Sequence, residues 1–237
     1  MLDQLKRLEA LRGAEVRAHA DRDFHERVIA VKRWQQARLA RTYADLARDA
    51  RYAPAVNFFL EELYGTKDSS ARDRDLIRMV PTIKRLLPKF AFNVVASALE
   101  LDVLSEGFDQ SIAKLIGNGK LDDTTYVAAF RTAGRREDRL RQVALLQEVG
   151  RGLDVVVKKP LIYSTLKLLR KPAQLAGMGE MQCFLEVGFT AFRHMDGASY
   201  FLETIASRET ILIERIMEDH PDPLAVVADW EKAAADA

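Results

Sequence analysis

The stretch MGEMQCFLEVGFTAFRHMDGASYFLETIASRETILIERIM, residues 178–217, decides the fold of this chain. It reads as two apolar helices joined at Gly197. In its first half Leu185, Gly188, Phe189, Phe192 and Met195 recur at helical spacing, so they share one stripe of a helix. Met181, Phe184, Val187 and Ala191 widen that stripe, which predicts a helix covered on most sides. Gly188 in mid-helix costs about 1 kcal/mol relative to Ala, and the usual compensation is close approach of a second helix backbone. In the second half Leu202, Ile205, Leu212 and Ile216 are in register, and their stripe passes over Arg208 and Glu209. That pair is either a half-buried ion pair or a solvated edge of the helix, because charged side chains are buried only when partnered. Glu186, inside FLEVGF, carries the same alternative.

Outward from this stretch the whole chain keeps helical spacing. Residues 2–50 are rich in Ala, Arg and Leu and contain no proline. Leu2, Leu5, Leu8 and Leu11 begin a face that predicts an N-terminal helical arm over residues 1–20, with a single all-helical domain over 21–237. Pro54 opens a short helix that Gly65 ends. Asp68, Ser69 or Ser70 is placed to cap ARDRDLIRMV, and Pro81 and Pro88 predict a kinked or broken segment. A long helix follows over 89–116, with Val94, Ala98, Leu101, Phe108, Ile112 and Leu115 on one face and GNG at its end. Asp122 or Asp123 caps the next helix, and another runs from about Arg135 to Val157. Pro160 and Pro172 bracket LIYSTLKLLRK, and PLAVVADWEK forms the last helix. No stretch sustains the period-two alternation of a strand. The expected architecture is all-α, a multi-helix bundle of about nine to eleven helices with Pro-kinked segments.

The 237 residues are 48% hydrophobic and 30% charged, with a formal net charge of +1, so no global field draws in nucleic acid or membrane. No apolar run approaches the roughly 20 residues of a transmembrane helix, and the N-terminus has no apolar signal core. One cysteine, Cys183, excludes an intramolecular disulfide, reads as a buried core thiol and fits a reducing, cytoplasmic setting.

The residues for chemistry are sparse. The histidines are His19, His25, His194 and His220, and none has a Glu three positions before it, as a di-iron carboxylate bundle would need. No HExxH, Cys/His cluster or calcium loop is present, so neither metal nor cofactor is predicted. Gly117-Asn118-Gly119-Lys120 lacks the spacing and the Ser/Thr of a phosphate loop and reads as a helix-ending turn. No nucleophile–base pair is legible, and no catalytic residue is assigned.

Three charged features stand out. Arg72-Asp73-Arg74-Asp75 lies at a helix start, where Asp73 and Asp75 suit the positive end of the helix dipole and Arg72 does not. With Glu209 these form a candidate structural charge cluster. Asn93, Ser97 and Glu100 share a polar stripe that lines a pocket if it faces inward and means nothing if it faces water. Over 151–171 six basic residues stand against Asp154 alone, with Leu161, Ile162, Leu166 and Leu169 interleaved. The part from 158 to 171 is a basic amphipathic helix suited to weak contact with an anionic surface, or else a connector with solvated lysines.

FFLEELYG at 58–65, RDRD at 72–75, MQCFLEVGFTAF at 181–192 and FLETIASRE at 201–209 resemble a family of uncharacterised bacterial all-helical proteins. Its pattern is approximately FFxxxLYG, RDxD, LxxFLExGFxxF and FLxxIxxRE, and Met181-Gln182 stands where it has a Leu-Gln pair. The resemblance spans most of residues 35–218 and implies an all-α bacterial cytoplasmic protein, with no activity attached. An enzyme using the charges of Arg72, Asp73, Asp75, Arg208 and Glu209 for acid–base work would lack a legible nucleophile–base pair, and two other functions fit these readings better. One is a non-catalytic helical module that binds a partner protein or forms a homodimer, the N-terminal leucines being the expected contact. The other is a carrier or sensor of an apolar small molecule, with Phe189 and Phe192 in the wall of its pocket and Glu100, Glu186 and Arg208 as its polar contacts.

Overall fold

The computed structural model describes residues 22–63, 65 and 89–235. Eleven α-helices and one π-helical turn make up most of these residues, and no strand occurs among them. In chain order they are α1 (Arg22–Thr42), α2 (Ala44–Arg48), α3 (Ala53–Phe58), the π turn (Phe59–Leu63) and α4 (Lys89–Ile116). Then come α5 (Asp123–Ala133), α6 (Arg136–Val157), α7 (Pro160–Leu168) and α8 (Arg170–Leu175). Last are α9 (Gly179–Met195), α10 (Ser199–Met217) and α11 (Ala225–Ala235). The all-α expectation holds. The N-terminal arm, Arg72, Asp73 and Asp75, and the prolines at 81 and 88 lie outside the described residues.

Local chemistry explains most of the boundaries. The Asp122 carboxylate accepts from the Thr125 N–H and the Thr125 hydroxyl accepts from the Asp122 N–H, a reciprocal cap that starts α5. Pro160 opens α7, where no intrahelical N–H is required. The segment that follows breaks at Leu169, and Pro172 falls within the first turn of the new helix α8 rather than kinking a continuous one.

α6 is the helix on which the others are assembled: α4, α10 and α9 all pack against it. Its Gly150 makes the α6–α10 approach possible, because a Cβ there would lie 2.3 Å from Leu202 Cδ2. α9 and α10 are indeed joined at Gly197, but they do not lie along each other. The join is an elbow, with Asp196 at φ 50° and Gly197 at φ 114°. Arg51 closes it from outside, donating from Nε to the Met195 carbonyl (2.5 Å) and from Nη2 to the Asp196 carbonyl (3.0 Å). These are carbonyls at a helix C-terminus that have no intrahelical donor.

Several details depart from expectation. α9 is not covered on most sides, since Leu185 and Val187 are 41% and 43% exposed. What closes on Gly188 is a ring and not a backbone: a Cβ there would lie 2.7 Å from Phe58 Cζ. Cys183 is exposed. The buried side of α9 is set by Met181, Gly188, Phe192 and Met195, and Cys183, two residues beyond Met181, turns roughly 200° away from it.

Two apolar clusters fill the interior. The first holds Leu39, Tyr43, Leu46, Phe58, Leu146, Phe189, Phe192, Phe201 and Ile205 among others. The second holds Val28, Val31, Ile112, Tyr126, Phe130, Leu212 and Ile216. α1 runs from the second cluster to the first, and α10 returns from the first to the second. Between the clusters lies a layer of charge.

Candidate functional site

The layer is built where the apolar registers of α1 and α10 are interrupted. On α1, Val31, Gln35, Arg38 and Thr42 share one helical face and all four are buried. On α10, Arg208 and Glu209 fall between Ile205 and Leu212. The two helices meet here through side chains. Arg38 grips Glu209 with both ends of its fork, Nη1 on Oε1 and Nη2 on Oε2 at 3.0 Å. The Tyr43 hydroxyl donates to Glu209 Oε1 at 2.8 Å. Side-chain exposure is 8% for Arg38 and 18% for Glu209, so this pair is removed from water. Burial works against the Arg38 charge, and the paired carboxylate outweighs it and holds the guanidinium above its ordinary value.

Arg208 does not pair with its neighbour. Its Nη1 donates to the Thr42 carbonyl (2.6 Å) and to Asp45 Oδ1 (2.8 Å), and its Nη2 donates to Asp45 Oδ2 (2.6 Å). One guanidinium thereby satisfies the last carbonyl of α1 and the first-turn carboxylate of α2. The Tyr43 and Trp230 rings flank it at 5.9 Å and 5.3 Å. Partial burial raises the Asp45 carboxyl, but the hydrogen bonds from Arg208 and the backbone prevail and lower it.

Toward the second cluster the layer continues through Asp109 of α4, which accepts from Gln35 Nε2 at 2.6 Å. Burial, set against the nearby Lys32 charge, pushes this carboxyl up to about 7. Tyr126 stacks on Trp34 with centroids 3.7 Å apart, and burial pushes its phenol up to about 12. Arg139 completes the wall, stacked on Phe108 at 3.4 Å and Phe130 at 4.0 Å.

Beside Glu209 a space of ≈ 30 Å³ opens between Tyr43, Phe59, Leu60, Phe201 and Ile205. A volume of this order is too small for an organic ligand. A second, open cleft of ≈ 280 Å³ lies over Phe192, between Asp154, Lys158, Arg193 and Asp196.

The residues predicted from the sequence do not converge. Glu209 is in the layer and Arg208 is at its edge. Glu100 pairs with Arg141 of α6 (2.9 Å). Ser97 donates to Glu148 (3.1 Å), so its polar stripe forms a seam with α6 instead of lining a pocket. Glu186 pairs with Arg170 of α8 and accepts from Gln182 (2.9 Å), and these donors hold its carboxyl down to about 2. Phe189 stacks on Tyr163 of α7 (5.3 Å), and Phe192 packs near Phe59 (6.4 Å). Among the described residues no three His, Cys, Asp or Glu side chains are grouped as metal ligands would be.

Sequence reasoning missed Arg38, Asp45 and Asp109. The signal for two of them was present. Arg38 is seven residues beyond Val31, and Asp109 is three before Ile112, so both charges sit on apolar faces. Asp45 leaves no such mark, because only the fold brings Arg208 to it.

The fold and its ionic layer define an all-α protein whose buried charges join α1 to α10. The chain belongs to the family described as a domain of unknown function, DUF8198, whose model matches residues 15–223. No curated protein and no solved structure matches the chain.

Proposed function

We propose that this is a non-catalytic helical interaction module, acting by docking a surface on a larger partner rather than by enclosing a small molecule. The observation that carries this reading is the outer side of α7 and α8. Leu161, Leu168, Leu169 and Leu175 are 81%, 77%, 49% and 90% exposed. Isolated exposed leucines are ordinary, but several along one short stretch mark a contact face. The dispersal of Glu100, Glu186 and Arg208 into separate ion pairs also favours docking over carriage. An exposed lone thiol suits a reducing interior, and the bacterial cytoplasm is the setting proposed for the module.

The test is native mass spectrometry and partner capture from the native host, comparing the wild type with Leu161→Glu/Leu168→Glu/Leu175→Glu. Loss of an oligomer or of a captured partner in the variant supports docking. A small molecule retained by both proteins, with no associated macromolecule, would overturn it.

A further inference from the structure

The face on α7 and α8 has a charge pattern that selects among possible partners. From Val155 to Gly179 there is no acidic residue, while Lys158, Lys159, Lys167, Arg170 and Lys171 are all present. Lys158 is paired with Asp154 and Arg170 with Glu186, and Lys167 Nζ rests over the Tyr163 ring, 4.3 Å from its centre. Among the described residues, Lys159, Lys167 and Lys171 have no carboxylate partner, and all three are exposed.

The leucines on this face are not there to hold the fold. Ile162, Tyr163 and Leu166 turn inward and pack against the first cluster, and Gln182 donates to the Leu166 carbonyl at 2.6 Å. The segment is therefore anchored by its inner side. Leu161 and Leu168, seven residues apart, project from the opposite side of α7, and Leu175 projects from the end of α8.

We infer that α7 and α8 form a peripheral membrane contact, inserting Leu161, Leu168 and Leu175 into the interface of an anionic bilayer while Lys159, Lys167 and Lys171 meet lipid phosphates. This rests on the docking reading and names what the docking face meets. Like charge disfavours a second copy, because the same cations would oppose one another across the interface. A docked helix needs a groove with walls, whereas leucines this exposed stand on a ridge. A ridge suits a fluid surface that closes around it, with lysine stems lying along the apolar layer and their ammonium groups at the headgroups.

The experiment is flotation of the full chain with vesicles of equal parts phosphatidylcholine and phosphatidylglycerol, against phosphatidylcholine alone. The wild type should float with the anionic vesicles only, and less as salt is raised. Leu161→Glu/Leu168→Glu/Leu175→Glu and, separately, Lys159→Glu/Lys167→Glu/Lys171→Glu should each lose at least tenfold in partitioning. Circular dichroism of both variants should match the wild type, since every altered side chain is exposed. Equal flotation with neutral vesicles, or none with anionic ones, overturns the lipid assignment. Capture of a synthetic Glu-rich amphipathic helix in the absence of flotation, lost in the leucine variant, would leave docking standing and make the partner a protein. Absence of both, with wild type and leucine variant alike in mass and capture, would remove docking as well.

Discussion

Arg38 and Glu209 are where a single substitution should tell most. Removing one partner leaves the other charge buried, so Arg38→Ala is expected to lower stability by about 3–5 kcal/mol, read as a shift in the urea midpoint. Arg136, whose Glu214 partner lies at the surface, is the control, and Arg136→Ala should leave the midpoint nearly in place. Asp109 gives a prediction in pH. Its folded carboxyl titrates at about 7, above the ordinary 3.8, so the folded state holds a proton that the unfolded state has released. Its stabilising contribution is full below about 3.8 and is lost as pH rises toward 7. Wild-type stability should therefore fall between pH 5 and pH 8 relative to that of Asp109→Asn, which keeps an acceptor for Gln35 and does not titrate. Parallel pH profiles for the two proteins would refute the protonated carboxyl.

For the elements, two glycines are informative, one closed in by a side chain and one held at positive φ. Gly150→Ala places a methyl 2.3 Å from a side chain, Leu202, that is itself 2% exposed. Overpacking of this kind costs about 1–3 kcal/mol, visible in thermal unfolding. Gly197→Ala should cost about 1–3 kcal/mol through strain at φ 114°, and Arg51→Ala should loosen the same elbow by freeing its carbonyls. Helix boundaries were largely legible in the sequence because they are set by neighbours in the chain. Asp122 caps α5, Pro160 opens α7, and the α4 face runs through Phe108 and Ile112. The elbow between α9 and α10 was not legible as one. Gly197 announces a turn, but its angle depends on α6, which receives both helices, and on Arg51, which is 144 residues from the Met195 carbonyl it caps. The ionic layer was half legible for the same reason. Periodicity puts Glu209 on an apolar face, while the identity of Arg38 as its partner depends on how α1 and α10 are brought together.

At the level of the whole molecule, the charged layer divides the interior into two apolar clusters and fixes how α1 and α10 align. Sliding α10 by one turn would set Arg38 against apolar side chains and leave Glu209 without its donors, so only one alignment satisfies the buried charges. The pairing also joins distant parts of the chain: Arg38 and Glu209 are 171 residues apart. A ribosome adding about 5–20 residues per second needs on the order of ten to thirty seconds to cover that distance. Through that interval Arg38 stands on α1 without Glu209, its partner on α10. Until then the guanidinium that is later sealed inside is one of the groups that keeps the growing chain soluble.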